Sequence, residues 1–415
     1  MVSENKKFEH HFYKVNGCGC VYSLVDNKGI IHLNAVISPD KEGDCQSQTF
    51  SVLKRLHAIL EKERMLGSVA HQTVFLRNIG DKQLVRKLMI DYYGDNLPVI
   101  TYVPQCPCDK DLFLVIEVHA IHGETKRVRF LRHDEHAITI DYSNISIGYF
   151  GDLIPDEKPV GAYHRAFNSF AKMRDILDKN GFSITNLLRT WIYQGNILLS
   201  EGKTQRYKEL NRARTVFFEG TRFLENLVPE TIQRTVYPAS TGIGSDDVDV
   251  RLSAMAIQTQ RKDVLAIPLE NPEQTPAFDY GEVYSPQSPK FSRAMAVSYD
   301  DCCSIYVSGT ASIINSETVF IDDIEGQTNQ TLDNIKALIS GDNMKKHGIE
   351  GYDAYLNNFC SARVYIKYPS DVEKVRAICE KKMGNTPVVY TISDICRDDL
   401  LVEIEGVVSC QRLAK

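Results

Sequence analysis

Apolar residues recur at intervals of three and four along six segments of the chain, the period of an amphipathic helix. In residues 46–61, for example, Phe50, Leu53, Leu56 and Leu60 fall on one helical face. Between these segments lie short runs rich in valine, isoleucine and aromatic residues, which favour strands. The pattern predicts helices at residues 46–61, 82–93, 164–178, about 207–218, 327–340 and 371–382.

The predicted elements occur three times in the same order. The segments that align are a helix at 46–61, 164–178 and 327–340 and a tail at 98–119, 235–256 and 387–408. Gln46 and Gln327 begin the matching helices of the first and third repeats and are therefore two repeat lengths apart. One repeat is thus about 140 residues long. Strands covered by helices on one face indicate the α+β class. We therefore predict three tandem α+β units around a pseudo-threefold axis, in a monomer with ligand sites between units. The alternative, three unrelated domains, leaves the matched order unexplained.

The repeat also predicts where each unit begins and ends. We expect an N-terminal unit at residues 1–123, a middle unit at 124–262 and a C-terminal unit at 290–415. Residues 263–289 contain five prolines and are predicted to form an ordered linker.

Composition excludes several classes of partner. The 48 Lys and Arg against 54 Asp and Glu give a net charge of −6, which argues against nucleic acid. No run of 18 apolar residues and no signal peptide is found, so we expect no membrane partner and a cytoplasmic location. The 11 cysteines are sparse and lack zinc spacing, and no phosphate-loop or dinucleotide motif occurs. We therefore expect no metal and no cofactor.

One acidic residue distinguishes the third repeat from the other two. Superposing the last strands aligns Glu405 with Glu117, whereas Glu403 aligns with Val115 in the first repeat and Arg251 in the second. Glu403 alternates with its apolar neighbours, so its side chain points to the opposite face of the strand. A carboxyl group unique to one interface is the best candidate for a general acid. The alternative is a solvent-facing charge on an edge strand.

Two further features suggest an anion-binding site. Residues 238–244 (PASTGIG) are predicted to form a glycine-containing turn, whose backbone N–H groups at Thr241 and Gly242 can converge on a carboxylate. Arg189, Arg214 and Arg293 occur near aromatic residues, and their forked guanidinium groups suit a dicarboxylate. The alternative interpretation of residues 238–244 is a loop without a ligand, and that of the three arginines is that they lie on the surface.

Several motifs together resemble a known family. The repeating unit resembles the Rid (YjgF-like, chorismate-mutase-like) proteins, which form trimers with sites between subunits. The last two units, over roughly residues 130–408, resemble the chorismatases, which release pyruvate from chorismate. The motifs are LRTWIY at 188–193, LNRAR at 210–214, PASTGIG at 238–244, PLENP at 268–272, YSPQSPKFSRA at 284–294, VSGTAS at 307–312 and ICRDDLLVEIEG at 395–406.

The resemblance implies a chorismate-cleaving enzyme built from three Rid/YjgF-like units that form a pseudo-trimer. It implies that Glu403 is the catalytic acid and that Cys396 lines the pocket, at a position that separates hydroxybenzoate-forming from diene-diol-forming members. We expect the hydroxybenzoate-forming type. The residues expected to bind the substrate are Arg189, Tyr193, Tyr207, Arg214, Thr241, Gly242, Arg293, Lys367 and Cys396.

Two departures from the family pattern keep other functions open. Gln287 and Lys367 stand where family members commonly have arginine. They favour a non-catalytic ligand sensor as the alternative to the enzyme. A third hypothesis is a Rid-type deaminase of enamines or imines. That activity pairs the last-strand glutamate with an arginine on the preceding strand, and residues 388–392 (VVYTI) contain none.

Overall fold

The computed structural model describes residues 9–413 except 16–18, 27–28, 124–126, 158 and 282–286. The start of the predicted N-terminal unit (residues 1–8) and a segment near the end of the predicted linker (residues 282–286) therefore lie outside the described residues. None of the helices in this part of the chain is both long and apolar enough to cross a membrane.

The first stretch of chain forms seven strands and two helices. They are β1 (Glu9–Val15), β2 (Gly19–Val25), β3 (Ile30–Ile37), α1 (Cys45–Lys62), β4 (Val69–Leu76), α2 (Lys82–Tyr93), β5 (Val99–Pro104), β6 (Cys106–Pro107) and β7 (Leu114–Gly123).

The second stretch repeats this order with a short hairpin inserted before its second helix. Its elements are β8 (Val128–Asp134), β9 (Ala137–Tyr142), β10 (Ile145–Leu153), α3 (Ala162–Lys179), β11 (Leu187–Gly195), β12 (Ser200–Glu201), β13 (Thr204–Gln205), α4 (Arg206–Phe217), β14 (Ala239–Ser245) and β15 (Val250–Thr259).

The third stretch has the same order with a hairpin and a short helix added. Its elements are β16 (Leu265–Leu269), β17 (Ala294–Tyr299), β18 (Cys302–Ala311), β19 (Ile313–Ile314), β20 (Glu317–Thr318), α5 (Ile324–Ile339), α6 (Gly341–Lys346), β21 (Phe359–Ile366), α7 (Val372–Met383), β22 (Val388–Ile392) and β23 (Val402–Gln411).

Three large mixed sheets share one strand order. The first is β1-β2-β3-β7-β4-β5, the second β8-β9-β10-β15-β11-β14 and the third β16-β17-β18-β23-β21-β22, which β6 of the first stretch extends. In each sheet the last long strand (β7, β15 or β23) lies in the middle. The parallel pairs of strands are β4 with β5, β11 with β14 and β21 with β22. The mixed α+β class predicted from the sequence is confirmed.

The predicted linker needs one correction. Its residues Leu265–Leu269 form β16, the edge strand of the third sheet, paired with β17. Pro268 contributed to the prediction of a linker. Proline is nevertheless tolerated on an edge strand, where one side of the backbone has no strand partner.

The three sheets meet face to face around a shared core. Apolar side chains from all three sheets contribute to this core, including Val36, Phe75, Tyr193, Ile243 and Tyr365. Polar contacts also cross between sheets, since Thr101 Oγ1 lies 2.8 Å from Ser253 Oγ. Each sheet therefore lines two of the three interfaces, and the interfaces enclose the cavities described next.

Candidate active site

Strand registers place Glu403 where the repeat comparison predicted. Glu403 lies opposite Tyr365 between β23 and β21. The same position is Val115 opposite Phe75 in the first sheet and Arg251 opposite Tyr193 in the second. The three sheets thus share this register position, and the side chain that occupies it differs in chemistry from sheet to sheet.

Glu403 lines a cavity of about 500 Å³ between the second and third sheets, which we call the acid cavity. Its walls come from α4 and β14 on one side and from β18, β23 and the loop at 396–398 on the other. The predicted site residues that line it are Tyr207, Arg214, Gly242, Arg293, Cys396 and Glu403.

The Glu403 carboxyl group is 4% exposed and, within the described part of the chain, accepts no hydrogen bond. It packs directly on Gly309, where an added Cβ would collide with Oε1. Gly309 lies at a register shift in β18 between Val307 and Thr310, which makes this close approach possible. Burial, helped by the negative charge of Glu405, raises the pKa of Glu403 to about 8, against the opposing charges of Arg189 and Arg293. The carboxyl group is therefore protonated at neutral pH.

Glu405 has the opposite environment two residues further along the strand. It forms an ion pair with Arg189 and accepts hydrogen bonds from Thr241 Oγ1 and Tyr365 Oη, each at 2.5 Å. Arg363 Nη1 lies 3.3 Å away. Although burial opposes ionisation, the two arginines hold the pKa of Glu405 below its usual range. Glu405 is therefore a structural carboxylate at the centre of the molecule.

Two arginines that line the acid cavity have no described ion pair. Arg214 donates from Nη2 to Asn211 Oδ1 at 2.7 Å, and its Nε is buried without a partner. Arg293 donates from Nη2 to Tyr280 Oη at 2.5 Å, and its Nε is also buried without a partner. Neither guanidinium group forms an ion pair with a described carboxylate. Because uncompensated buried cations are costly, the cavity is suited to a ligand with two negative charges.

Four predicted binding residues lie outside the wall of the cavity. Arg189 is buried in its ion pair with Glu405, and the Thr241 hydroxyl bonds to the same carboxylate. Tyr193 Oη accepts a hydrogen bond of 2.7 Å from Arg363. Lys367 donates from Nζ to the backbone carbonyl of Asp398 at 2.6 Å and so holds the loop at 396–398. The sequence could not show that Arg189 has a partner 216 residues away.

The predicted glycine turn at 238–244 is a strand instead. Residues Ala239–Ser245 form β14, paired in parallel with β11, and neither Gly242 nor Gly244 has a positive φ. The glycines serve close packing, because a Cβ on Gly244 would lie 2.6 Å from the Asp394 carbonyl oxygen and Gly242 faces the ring of Tyr207. The prediction of an anion-binding nest was therefore wrong, although Gly242 does line the acid cavity.

Some residues that line the cavity were not among the predicted ones. Asn211 lies on α4 between Tyr207 and Arg214, on the helical face that the spacing of four and three residues defines. That spacing was a signal the sequence offered. Further residues that were missed are Lys203, Gln205, Lys208, Tyr280, Phe291, Arg397 and Asp398.

The interface between the first and second sheets is closed by ion pairs. Arg251, at the position of Glu403, pairs with Asp152 at 2.5 Å, and Lys82 pairs with the same carboxylate at 2.6 Å. The cavity beside Asp152 has a volume of about 20 Å³, far below that of the acid cavity. At the position of Glu403 this interface therefore has an ion-paired arginine in place of a carboxyl group.

Comparison with known proteins identifies the relatives of the chain. No model of a protein family matches it. It is 32% identical over 257 residues to the 3-hydroxybenzoate synthase of Streptomyces hygroscopicus, covering 60% of this chain and 71% of that protein. The chain belongs to the chorismatase family. The family resemblance predicted from the motifs is therefore confirmed.

Other relatives carry the family's name. A chorismatase of Streptomyces rapamycinicus is 34% identical over 189 residues, which cover 45% of this chain and 55% of that protein. A chorismatase of Streptomyces hygroscopicus is 32% identical over 179 residues, 43% of this chain and 51% of that one. A chorismatase crystal structure superposes with a TM-score of 0.62 at 21% identity, over 82% of this chain and 93% of that one. The chorismatase fold thus extends over most of the chain.

Proposed function

We propose that this chorismatase-family protein cleaves the enolpyruvyl ether of chorismate to pyruvate and a hydroxybenzoate. The observation that carries the proposal is a buried, protonated Glu403 on a cavity of about 500 Å³ that also contains two unpaired guanidinium groups. Chorismate has two carboxylates and an acid-labile enol ether. The charge and chemistry of the cavity match both features.

The proposed reaction begins with proton transfer from Glu403 to the methylene carbon of the enolpyruvyl group. The electron pair of the C=C bond forms the new C–H bond, and positive charge develops on the ether carbon. Capture of this carbon by water releases pyruvate and a dihydroxycyclohexadiene carboxylate, with one water consumed. Capture by the neighbouring hydroxyl group of the ring forms a cyclic ketal, and the hydroxyl proton returns to the Glu403 carboxylate. Cleavage of one ring C–O bond, whose oxygen stays on pyruvate, and transfer of one ring C–H proton to the oxygen that stays on the ring then give pyruvate and a hydroxybenzoate with no net water. Glutamate is suited to the first step because its raised pKa keeps it protonated.

Arg214 and Arg293 hold the two carboxylates in this proposal. They come from different stretches of the chain, Arg214 from α4 of the second stretch and Arg293 from the segment before β17 of the third. Binding of the dianion therefore joins the two walls of the cavity. The carboxylates must face the arginines while the methylene carbon faces Glu403, since a guanidinium group against Glu403 would lower its pKa.

Cys396 is proposed to direct the reaction toward the hydroxybenzoate. It lines the acid cavity, and burial, with the neighbouring Glu403, raises the pKa of its thiol to about 12. A neutral thiol gives no nucleophile and little polarity near the developing cation. We expect Cys396→Ala to change the ratio of hydroxybenzoate to dihydrodiol, measured by chromatography. An unchanged ratio would remove Cys396 from the mechanism.

The three sheets are proposed to be tandem Rid-like units of a pseudo-trimer. The shared strand order supports units at residues 1–123, 124–262 and 290–415, with β16 added to the third. A chain that carries all three units has no need to associate, so we propose a monomer. We also propose a cytoplasmic location, because the ten cysteines of the described part of the chain are all free thiols.

Incubation of the purified protein with chorismate tests the proposed reaction. Pyruvate release is followed with lactate dehydrogenase and NADH, and the aromatic products are identified by chromatography. Release of pyruvate with an equal amount of hydroxybenzoate would support the proposal. Binding of chorismate without any pyruvate would instead indicate a ligand sensor.

A further inference from the structure

We propose that the interface between the first and third sheets contains a second, non-catalytic site for a small aromatic monocarboxylate. A cavity of about 270 Å³ lies there, between β3 and β7 on one side and β22 and α7 on the other. We call it the Val115 cavity after the residue at the position of Glu403. The binding itself is argued from this cavity alone, whereas naming a hydroxybenzoate as its natural occupant rests on the proposed function.

The Val115 cavity is the structural counterpart of the acid cavity. Val115 and Glu403 share a register position, and each follows by seven residues a cysteine that lines its cavity, Cys108 and Cys396. The second helix of a unit supplies an arginine to each wall, Arg376 here and Arg214 there. The two cavities therefore share their framework.

The floors of the two cavities differ in a way that removes catalysis. Val36 lines the Val115 cavity from β3, the strand that corresponds to β18 with its Gly309. Val36, Val115 and Val389 pack into one buried apolar cluster. No proton donor takes the place of Glu403, and the floor is suited to an apolar or aromatic surface. A ligand bound on it would remain unchanged.

Two polar groups on the wall have unsatisfied donors. In the described part of the chain, Arg376 forms no hydrogen bond or ion pair, and its Nε is buried without a partner. Its guanidinium group lies over the ring of Tyr390, 4.8 Å from the centroid, and Tyr390 Oη is also buried without a partner. The nearby carboxylate of Asp109 is already paired with Lys41 at 2.5 Å. Arg376 therefore remains as a cation available to a ligand.

The buried arginines and the volume suggest the ligand class. Arg214 and Arg293, whose Nε atoms are buried without a partner, line the acid cavity of about 500 Å³. Arg376 is the corresponding arginine of the Val115 cavity of about 270 Å³, which Lys14 and Glu380 also line. One guanidinium group matches one carboxylate, and cavities of roughly 150 Å³ accept a benzene ring. The ring would lie on the valines with its carboxylate toward Arg376, while Tyr390 Oη offers a hydrogen bond to a ring substituent. Hydroxybenzoates, the proposed product class, have this form.

Crystals of the full chain soaked with 3-bromobenzoate locate the site directly. We expect anomalous bromine density in the Val115 cavity of the wild type and none there in Arg376→Gln. Lys374→Gln removes a charge from an exposed position on the same helix and serves as the matched control. Density that persists in Arg376→Gln, or no density in the wild-type cavity, would overturn the proposal.

Calorimetry with 3-hydroxybenzoate measures the same site in solution. Arg376→Gln should weaken one class of binding by at least about tenfold, the effect of losing a charge-assisted carboxylate contact, while Lys374→Gln leaves it unchanged. Pyruvate release by Arg376→Gln should equal that of the wild type when no hydroxybenzoate is added. Ligand in the Val115 cavity of a protein that does not cleave chorismate would refute the proposed function and leave this site standing. Equal binding by Arg376→Gln would refute the site alone.

Discussion

Glu403 and Glu405 are two residues apart on one strand face, yet their surroundings set opposite charge states. Glu403 is buried against Gly309 with no hydrogen bond from a described residue, so its proton is retained up to a pH of about 8. Glu405 receives Arg189 and Arg363 and stays ionised. The pair resembles other acid–carboxylate combinations in which environment, not residue type, assigns the roles.

Glu405→Gln tests the structural role of the ionised carboxylate. The substitution leaves the buried Arg189 and Arg363 without their shared anion, so we expect the free energy of unfolding to fall by roughly 3 kcal/mol in urea titrations. Loss of this negative charge also lowers the pKa of Glu403, so the alkaline decline of kcat/KM should move to lower pH. An unchanged stability would show that Glu405 is dispensable for the interface.

Arg214→Ala tests recognition of the dianion. In a Glu403→Gln background, which prevents turnover, we expect the affinity for chorismate to fall by at least about tenfold by calorimetry. Arg212→Ala is the matched control, because Arg212 lies on the same helix and pairs on the surface with Glu209. If both variants bind chorismate like their parent, Arg214 serves the fold and not the site.

At the scale of the elements, the register shift in β18 allows the Glu403 carboxyl group to pack against the backbone of Gly309. Gly309 donates from its backbone N–H to Thr241 Oγ1 at 2.9 Å, which joins β18 to β14 across the interface. The missing side chain at Gly309 provides the space that the Glu403 carboxyl occupies. The position of the proposed acid on β23 thus depends on the backbone of two neighbouring strands.

Gly309→Ala should therefore displace the Glu403 carboxyl group while the fold survives. We expect pyruvate release to fall by roughly a hundredfold, since a displacement of about 1 Å in a catalytic group has this effect. Gly281→Ala is the control, because no heavy atom of a described residue beyond its chain neighbours lies within 4 Å of the Cβ it would add. Wild-type activity in Gly309→Ala would mean that the position of Glu403 is not critical.

The elements show what the sequence can and cannot predict. Helical spacing located α4 within a residue of its observed start, and repeat asymmetry singled out Glu403, because both signals are local or shared between repeats. Arg189 was predicted to bind the substrate, since the sequence does not show that it pairs with Glu405 of another sheet. The glycines of β14 suggested a turn, because glycine is found both where φ is positive and where the backbone packs closely. The sequence does not distinguish these two causes, and close packing is the one that applies in β14.

At the scale of the whole molecule, the three interfaces between sheets differ in the side chains at the position of Glu403 and around it. Arg251, Asp152 and Lys82 close one interface, Val115 gives the second an apolar floor, and Glu403 equips the third with an acid. Interfaces between fused units can diverge in this way, whereas those of a homotrimer must stay identical.

The proposed pseudo-trimer of tandem units predicts a monomer in solution. Light scattering after size exclusion should give a mass near the 47.0 kDa of one chain. All three interfaces are filled within one chain, so dilution should not change this mass. A mass of three chains would mean that the pseudo-trimer is not closed by itself.

Glu403 is proposed to donate the proton that starts cleavage of chorismate. The most direct measurement is the rate of pyruvate release from chorismate by wild type and by Glu403→Gln, which keeps the shape of the side chain and removes its transferable proton. We expect the variant to be slower by about a hundredfold or more while it still binds chorismate, and the wild-type rate to decline above a pH of about 8, where Glu403 ionises. Pyruvate release by Glu403→Gln at the wild-type rate would contradict the mechanism.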